Sequence, residues 1–169
     1  MQTTTMSRVA PSLAAIVSQL LDSTHLYTRA LSGIDHEDLL TRPGPRSNPL
    51  IWVAGHLVQQ RTRLLGAFGP PRQIPWDDLF RTGSVIGDLR LYPTTGELEA
   101  VWRSASEELM RRIEAAPEEH LARPAPDWLI SHDGTLRGGL SYAAFHEAYH
   151  VGQMGYLRKW LGFDPLLDA

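Results

Sequence analysis

The chain has 169 residues, of which 43% are hydrophobic and 21% are charged, and its net charge at pH 7 is -3. This length and composition are typical of one globular domain with its own hydrophobic core, which excludes disordered and fibrous classes. The small negative charge and the scattered arginines exclude a dedicated nucleic-acid-binding protein. We therefore expect a single domain over residues 1–169.

The sequence contains no cysteine. Disulfides, thiolate nucleophiles and sulfur-ligated metal sites are thereby excluded, so any metal must be bound by His, Asp or Glu. The apolar run over residues 9–21 is interrupted by polar residues and is followed by no secretory cleavage pattern. No apolar stretch reaches the length of a membrane span. We expect a cytoplasmic protein that does not bind membranes.

Hydrophobic residues recur at three- and four-residue steps in four segments, whereas strand-like alternation hardly occurs. The first helix is predicted over residues 11–31, with Pro11 in its first turn and Gly33 beyond its end. The second helix is predicted to begin after Ser47-Asn48-Pro49, with Pro49 at its first position, and to end near Ala67.

The third helix is predicted to begin at Thr94 or Thr95 and to end near Ala116, with Glu97 favourably placed in its first turn. The fourth helix is predicted over residues 141–162, with a start up to one turn earlier as the alternative. Four helices of this length favour an all-α four-helix bundle.

The connections between the helices carry two further patterns. Residues 38–43 and residues 119–124 both contain an acidic residue, then Leu, then Arg-Pro, which indicates either a weak internal repeat or a common way of leaving a helix. The connection over residues 69–93 carries Trp76 and Phe80 and is predicted to contain a short helical turn. Its length permits a long crossover between consecutive helices.

His146 and His150 lie four residues apart in the fourth predicted helix, and Gln153 extends the same face. Residues at this spacing are neighbours on one helix face, so the two imidazoles can converge on one metal ion. The alternative is a pair of core or surface histidines whose ring nitrogens are satisfied by other groups.

The segment His146-Glu147-Ala148-Tyr149-His150 also matches the His-Glu-X-X-His motif of zinc metalloproteases, in which the Glu is a general base. Such sites need a third ligand, yet no Glu follows Glu147, and Tyr156 stands where the longer motif has its His. No strand pattern precedes the segment to hold a peptide. A protease is therefore the least favoured reading.

His56 is the strongest candidate for a third ligand, because it lies in the most apolar stretch of the second helix. Gly55 would permit a close helix approach, and Trp52 lies one turn earlier on the same side. The alternatives are that His56 is a packed core residue or that His25 of the first helix is the ligand. His36 and His120 are predicted to be solvated residues in connections, and His132 is predicted to lie in a flexible segment before the fourth helix.

His56 in an apolar helix, Tyr92-Pro93-Thr94 at the third helix, and His146-X3-His150-X2-Gln153 together resemble the DinB/YfiT-like superfamily of metalloenzymes. The resemblance extends over essentially the whole chain. It implies a four-helix bundle with crossover connectivity, His56, His146 and His150 as ligands of zinc or nickel, and a homodimer. Characterised members include thiol-dependent transferases and isomerases that use low-molecular-weight thiols.

A divalent ion held by three neutral imidazoles keeps a positive charge and at least one open position, where water or a thiol is activated. Because the chain has no cysteine, a thiol would arrive as a cosubstrate. We expect a metal-dependent small-molecule enzyme, either a thiol S-transferase or isomerase or a hydrolase.

Two residues near the predicted ligands are catalytic candidates. Gln153 would either hydrogen-bond a bound water or orient a ligand, whereas Glu147 lies between the ligands without an assigned role. Tyr149 and Trp52 are candidates for the pocket wall or for the core. The alternative function is a non-catalytic dimeric bundle that acts as a binding or scaffold module.

Overall fold

The computed structural model describes residues 9–84 and 86–167, and the ends of the single-domain prediction, residues 1–8 and 168–169, lie outside them. Within the described residues the regular structure is helical, which confirms the all-α prediction. The described part of the chain contains six α-helices: α1 (Ala14–Leu31), α2 (His36–Leu40), α3 (Leu50–Leu64), α4 (Thr95–Ala115), α5 (Glu118–Leu121) and α6 (Leu136–Trp160).

The four long helices pack side by side around a shared interior. α1 packs mainly against α6 and α4, and α3 packs against the same two helices. α3 is buried along nearly its whole length, which accounts for the apolar run over residues 50–58, although buried polar residues follow it. None of the helices in the described residues combines the length and apolar character needed to cross a bilayer.

Local sequence signals account for the start of α4. The Thr94 hydroxyl accepts a hydrogen bond from the backbone N–H of Glu97 at 3.3 Å, and the Glu97 carboxylate accepts one from the Thr94 N–H at 2.8 Å. This reciprocal pair satisfies two N–H groups that a helix start leaves without partners. The prediction of a helix beginning at Thr95 is confirmed.

Two predicted helix starts need correction. α6 begins at Leu136, more than one turn before Ser141, and the Thr135 hydroxyl caps it by accepting from the Gly138 N–H. Gly138 and Gly139 therefore lie inside the helix, where a side chain on Gly139 would come within 2.6 Å of Leu129. In α3, Pro49 occupies the N-cap position instead of the first helical position.

The two similar connections each contain a short helix. His36 is the first residue of α2 and is exposed, as expected for a solvated residue. His120 lies on α5, is half-buried, and has its Nε2 3.4 Å from the Ala67 carbonyl oxygen, so the prediction of a solvated loop residue is wrong for His120.

The long connection between α3 and α4 contains the predicted helical turn, a 3-10 helix over Asp77–Phe80. Phe80 is fully buried, and its ring meets Trp76 and Tyr92 edge-on at centroid distances of 5.7 and 5.4 Å. This aromatic cluster fixes the turn against α3 beside Gly55. The connection therefore lies directly beside His56, the residue that follows Gly55.

Candidate metal centre

Three imidazoles converge where α3 packs against α6. The Nε2 atom of His146 lies 3.4 Å from that of His56 and 3.1 Å from that of His150. One ligand atom from each histidine lies within 4.8 Å of the other two. His56 is 2% exposed, and the two histidines of α6 are half-buried. The structure thus brings together the three histidines that the sequence singled out.

His56 is held by two direct contacts, one of which is itself supported by a further hydrogen bond. Its Nδ1–H donates to the Phe80 carbonyl oxygen at 2.8 Å, so its Nε2 carries the lone pair that faces the other histidines. The Trp52 ring stacks on the imidazole with a centroid distance of 5.1 Å and an interplanar angle of 6°. The Trp52 indole N–H in turn donates to the Leu79 carbonyl oxygen at 3.1 Å. These contacts fix the tautomer and the orientation of the ring.

His150 is held by a neighbour on its own helix. Its Nδ1–H donates to the Gln153 Oε1 atom at 2.7 Å, and the Gln153 amide N–H donates to the Tyr149 hydroxyl at 3.1 Å. From the sequence, Gln153 is expected either to hydrogen-bond a bound water or to orient a ligand. The observed contact with His150 is of the orienting kind. As at His56, the hydrogen bond leaves the Nε2 lone pair available.

Burial keeps the three imidazoles in their neutral form. The pKa of His146 is lowered from 6.5 to about 4, first by burial and then by the neighbouring His150 and His56 rings. Burial also lowers the pKa values of His56 and His150, while hydrogen bonds to Phe80 and Gln153 partly oppose the shift. At neutral pH each ring is therefore uncharged and has one nitrogen lone pair free to bind a metal ion.

The donor set fits a divalent transition metal. Imidazole nitrogens suit zinc and nickel, and three of them leave a tetrahedral or larger coordination sphere open at one or more positions. Within the described residues, no carboxylate joins the three-histidine cluster. A structural zinc site is normally closed by four protein ligands, so three donors are typical of an open site.

Glu147 follows His146 in sequence but does not join the cluster. Its carboxylate is buried and accepts hydrogen bonds from Arg61, from Nε at 2.8 Å to one oxygen and from Nη2 to the other. Both oxygens are thus engaged by a guanidinium, whereas a protease of the His-Glu-X-X-His type needs this carboxylate as a free base.

Arg61 is the residue that the sequence analysis missed. It belongs to α3, is fully buried, and donates to the Thr24 hydroxyl of α1 at 2.5 Å and to the Ser106 hydroxyl of α4 at 2.6 Å. Its guanidinium lies 3.8 Å from the centroid of the Trp102 ring. Together with Glu147 of α6, these contacts join all four long helices. The sequence gives little sign of this burial, because Arg61 lies in a polar run over residues 59–63 that resembles a solvated helix end.

The other histidines lie away from the cluster. His25, the competing third ligand, is exposed on α1, and His132 is exposed in the loop before α6. The sequence-based preference for His56 over His25 therefore agrees with the observed geometry.

A family model described as the DinB superfamily matches residues 19–154, a segment that contains all three clustered histidines. No curated protein matches the chain significantly.

Proposed function

The chain belongs to the DinB superfamily, and on that basis we propose that it is a metal-dependent enzyme acting on small molecules. Its divalent ion, zinc or nickel, is bound by His56, His146 and His150. The observation that carries this proposal is the convergence of three neutral imidazoles without a fourth protein donor among the described residues.

Hydrogen bonds with neighbouring residues orient two of the three histidine rings in the absence of an ion. Phe80 holds His56 and Gln153 holds His150, so two lone pairs already point toward His146. A divalent ion in this site supplies Lewis acidity, which lowers the pKa of a water molecule or a thiol that reaches it. Prepositioned ligands raise metal affinity because less ordering remains for the binding step.

Thiol S-transfer or thiol-assisted isomerisation is the preferred reaction class, and metal-assisted hydrolysis is the alternative. The family resemblance favours a low-molecular-weight thiol as cosubstrate, and the absence of cysteine from the chain requires the sulfur to come from outside. A cytoplasmic location suits this chemistry, because such thiols are kept reduced there.

The metal content of the purified protein tests the binding site. We expect one divalent ion per chain, and loss of the ion in His56→Ala, His146→Ala and His150→Ala. His25→Ala is the matched control, because His25 is exposed on α1 outside the cluster. Absence of metal from the wild-type protein, or its retention in all three cluster variants, contradicts the proposal.

The cobalt-substituted protein then separates the two reaction classes. Titration with glutathione is expected to produce a new near-ultraviolet band, since a thiol that reaches the ion becomes a thiolate ligand. A metal-loaded protein whose spectrum does not respond to thiols favours hydrolysis.

A homodimer also forms part of the proposal, and its interface would lie on α6. One face of α6 exposes four large aromatic side chains, which we call the aromatic stripe: Phe145, Tyr149, Tyr156 and Trp160. An exposed apolar patch of this kind favours association with another protein surface. Gly152 lies within the stripe, and a Cβ at this position would face open space, so a second helix can approach closely there.

The same stripe favours the second candidate function, a non-catalytic dimeric scaffold. Sedimentation of wild-type protein and of Tyr156→Ser tests the interface, with dissociation expected for the variant. Metal content separates the two functions, because the enzyme requires one divalent ion per chain whereas a scaffold requires none.

The bundle topology is proposed to be the crossover arrangement of the family. Its support is the packing order, in which the sequence neighbours α1 and α3 each pack against both α4 and α6. Long connections before α4 and α6 supply the length that such a path requires.

A further inference from the structure

A cleft of about 280 Å³ opens beside the histidine cluster. Its walls come from the last turns of α3, the first turns of α6 and the loop between α5 and α6, with Thr82 at one edge. His146 lines the cleft, so a molecule bound there reaches the cluster. This volume fits a small molecule and is too small for a folded polypeptide segment.

The walls of the cleft combine polar groups with several large apolar and aromatic side chains. Trp128 and Ile130 in the loop are 36% and 53% exposed, although both side chains are large and hydrophobic. The Tyr142 ring stacks on His146 with a centroid distance of 6.3 Å and an interplanar angle of 28°. Apolar side chains that converge on a cleft favour a ligand with a planar, apolar body.

The charge in the cleft is positive. Glu147 lines it, but the carboxylate is already paired with the buried Arg61. Arg63 also lines it, is exposed, and has its guanidinium 4.9 Å from the centroid of the Trp128 ring. Within residues 9–84 and 86–167 Arg63 forms no ion pair, unlike Arg81, which pairs with Asp78.

A neighbouring groove extends the positive charge. It has a volume of about 500 Å³, and its wall includes Arg63, Arg72 and Arg81 together with the acidic Asp77. Arg63 therefore stands between the groove and the cleft. A cation at this position attracts an anionic ligand and binds a carboxylate through two parallel N–H donors.

We propose that the cleft binds a small carboxylate with a planar, unsaturated or aromatic body. Arg63 pairs with the carboxylate, Trp128 and Tyr142 pack against the body, and the opposite end of the molecule faces His146. The assignment of this molecule as a substrate rests on the proposed metal-dependent function, whereas its binding through Arg63 does not.

Fluorine NMR with a matched pair of probes tests the proposal. The protein, incubated with zinc, is titrated with 4-fluorobenzoate and with 4-fluorobenzamide, which has nearly the same shape but no charge. We expect the benzoate to bind about tenfold to a hundredfold more tightly, the range of a charge-assisted hydrogen-bonded pair. Arg63→Gln removes this preference, while Arg63→Lys retains part of it.

Arg72→Gln is the control, because Arg72 lines the neighbouring groove and not the cleft. This variant is expected to keep the preference for benzoate. Equal binding of the two probes, binding of neither, or a preference that survives in Arg63→Gln overturns the proposal. Circular dichroism verifies that Arg63→Gln is folded, as expected for an exposed position.

Two further samples separate this proposal from the proposed function. If the preference for benzoate disappears in His150→Ala but persists in Arg63→Gln, the metal holds the carboxylate and the Arg63 assignment is wrong. If the protein binds no metal but still shows an Arg63-dependent preference, the cleft assignment stands and the metal-dependent function fails.

Discussion

Gly55 and Phe80 are in direct contact, and a side-chain carbon on residue 55 would overlap the Phe80 ring. This contact places the Phe80 carbonyl oxygen 2.8 Å from His56 Nδ1, on the residue that follows the glycine. The orientation of one predicted metal ligand therefore depends on the absence of a side chain at the preceding position.

Gly55→Ala is expected to weaken both the fold and the metal site. Displacement of the Phe80 ring costs about 1–3 kcal/mol of unfolding free energy, the usual range for overpacking a core. It also moves the carbonyl oxygen away from His56, which lowers metal affinity. Urea unfolding and competition with a chelator measure the two effects.

Gly96→Ala is the matched control for this prediction, since Gly96 lies in α4 with no group close enough to meet a new methyl. We expect an unchanged metal affinity and a gain in stability of up to about 1 kcal/mol. If Gly55→Ala binds metal as tightly as the wild-type protein, the Phe80 contact does not position His56.

Gln153→Ala is expected to lower metal affinity about tenfold to a hundredfold, because His150 loses the group that fixes its ring. Gln153→Glu keeps an acceptor for the His150 Nδ1–H and is expected to retain most of the affinity. Thermal unfolding of the metal-free proteins should change little in either variant. Equal losses of affinity in the two variants would argue against an orienting role.

Arg61→Met is expected to cost about 3–5 kcal/mol of unfolding free energy, because it leaves the Glu147 carboxylate buried without a counter-charge. The double variant Arg61→Met/Glu147→Leu removes both charges and should recover much of that loss. Urea unfolding of the single and double variants gives the coupling energy. Purely additive losses would contradict a paired role.

Arg137→Met serves as the comparison for this pair, because Arg137 binds Glu118 where both side chains are largely solvent-accessible. Removal of such a surface pair should cost at most about 1 kcal/mol. Glu147→Gln tests whether Glu147 is a general base instead of a structural partner of Arg61. A general base would lose turnover at unchanged stability.

The metal-free protein is expected to lose stability as the pH falls from about 6.5 toward 4. The folded-state pKa values of His56, His146 and His150 lie below 6.5, with that of His146 at about 4. Between these values the unfolded chain binds more protons than the folded chain, so acid favours unfolding. Above pH 6.5 both states carry neutral rings and this contribution is constant.

Urea unfolding at several pH values in this window measures the effect. His146→Ala removes the group with the largest lowering and should show a shallower dependence on pH. If the unfolding free energy of His146→Ala falls with pH as steeply as that of the wild-type protein, other groups cause the pH dependence.

Sequence reasoning located helix boundaries well where the signal is local. Thr94 and Glu97 cap α4 through atoms three residues apart, and the pattern is visible in the sequence. The predicted start of α6 is too late, and the residues that it leaves out of the helix include Gly138 and Gly139, a residue type that disfavours helix interiors. The glycine at position 139 is instead required by Leu129, a packing partner from the preceding loop.

The sequence identifies the histidines of the candidate site but not the groups that surround them. The three histidines could be selected from residue type, spacing and the apolar context of His56. The groups that orient and surround them could not, because the Phe80 contact uses a backbone oxygen and carries no side-chain pattern. Arg61 escaped notice because its acceptors come from three other helices that are distant in sequence.

The position of Arg61 also bears on how the chain chooses among rival helix arrangements. Four amphipathic helices of similar composition can pack in several arrangements. Burial of apolar surface alone distinguishes the native arrangement from the others poorly. If α3 slides by one turn against α6, the Arg61 guanidinium and the Glu147 carboxylate are separated inside an apolar interior at a high electrostatic cost. The Arg61–Glu147 pair thus disfavours bundle arrangements in which α3 and α6 are out of register.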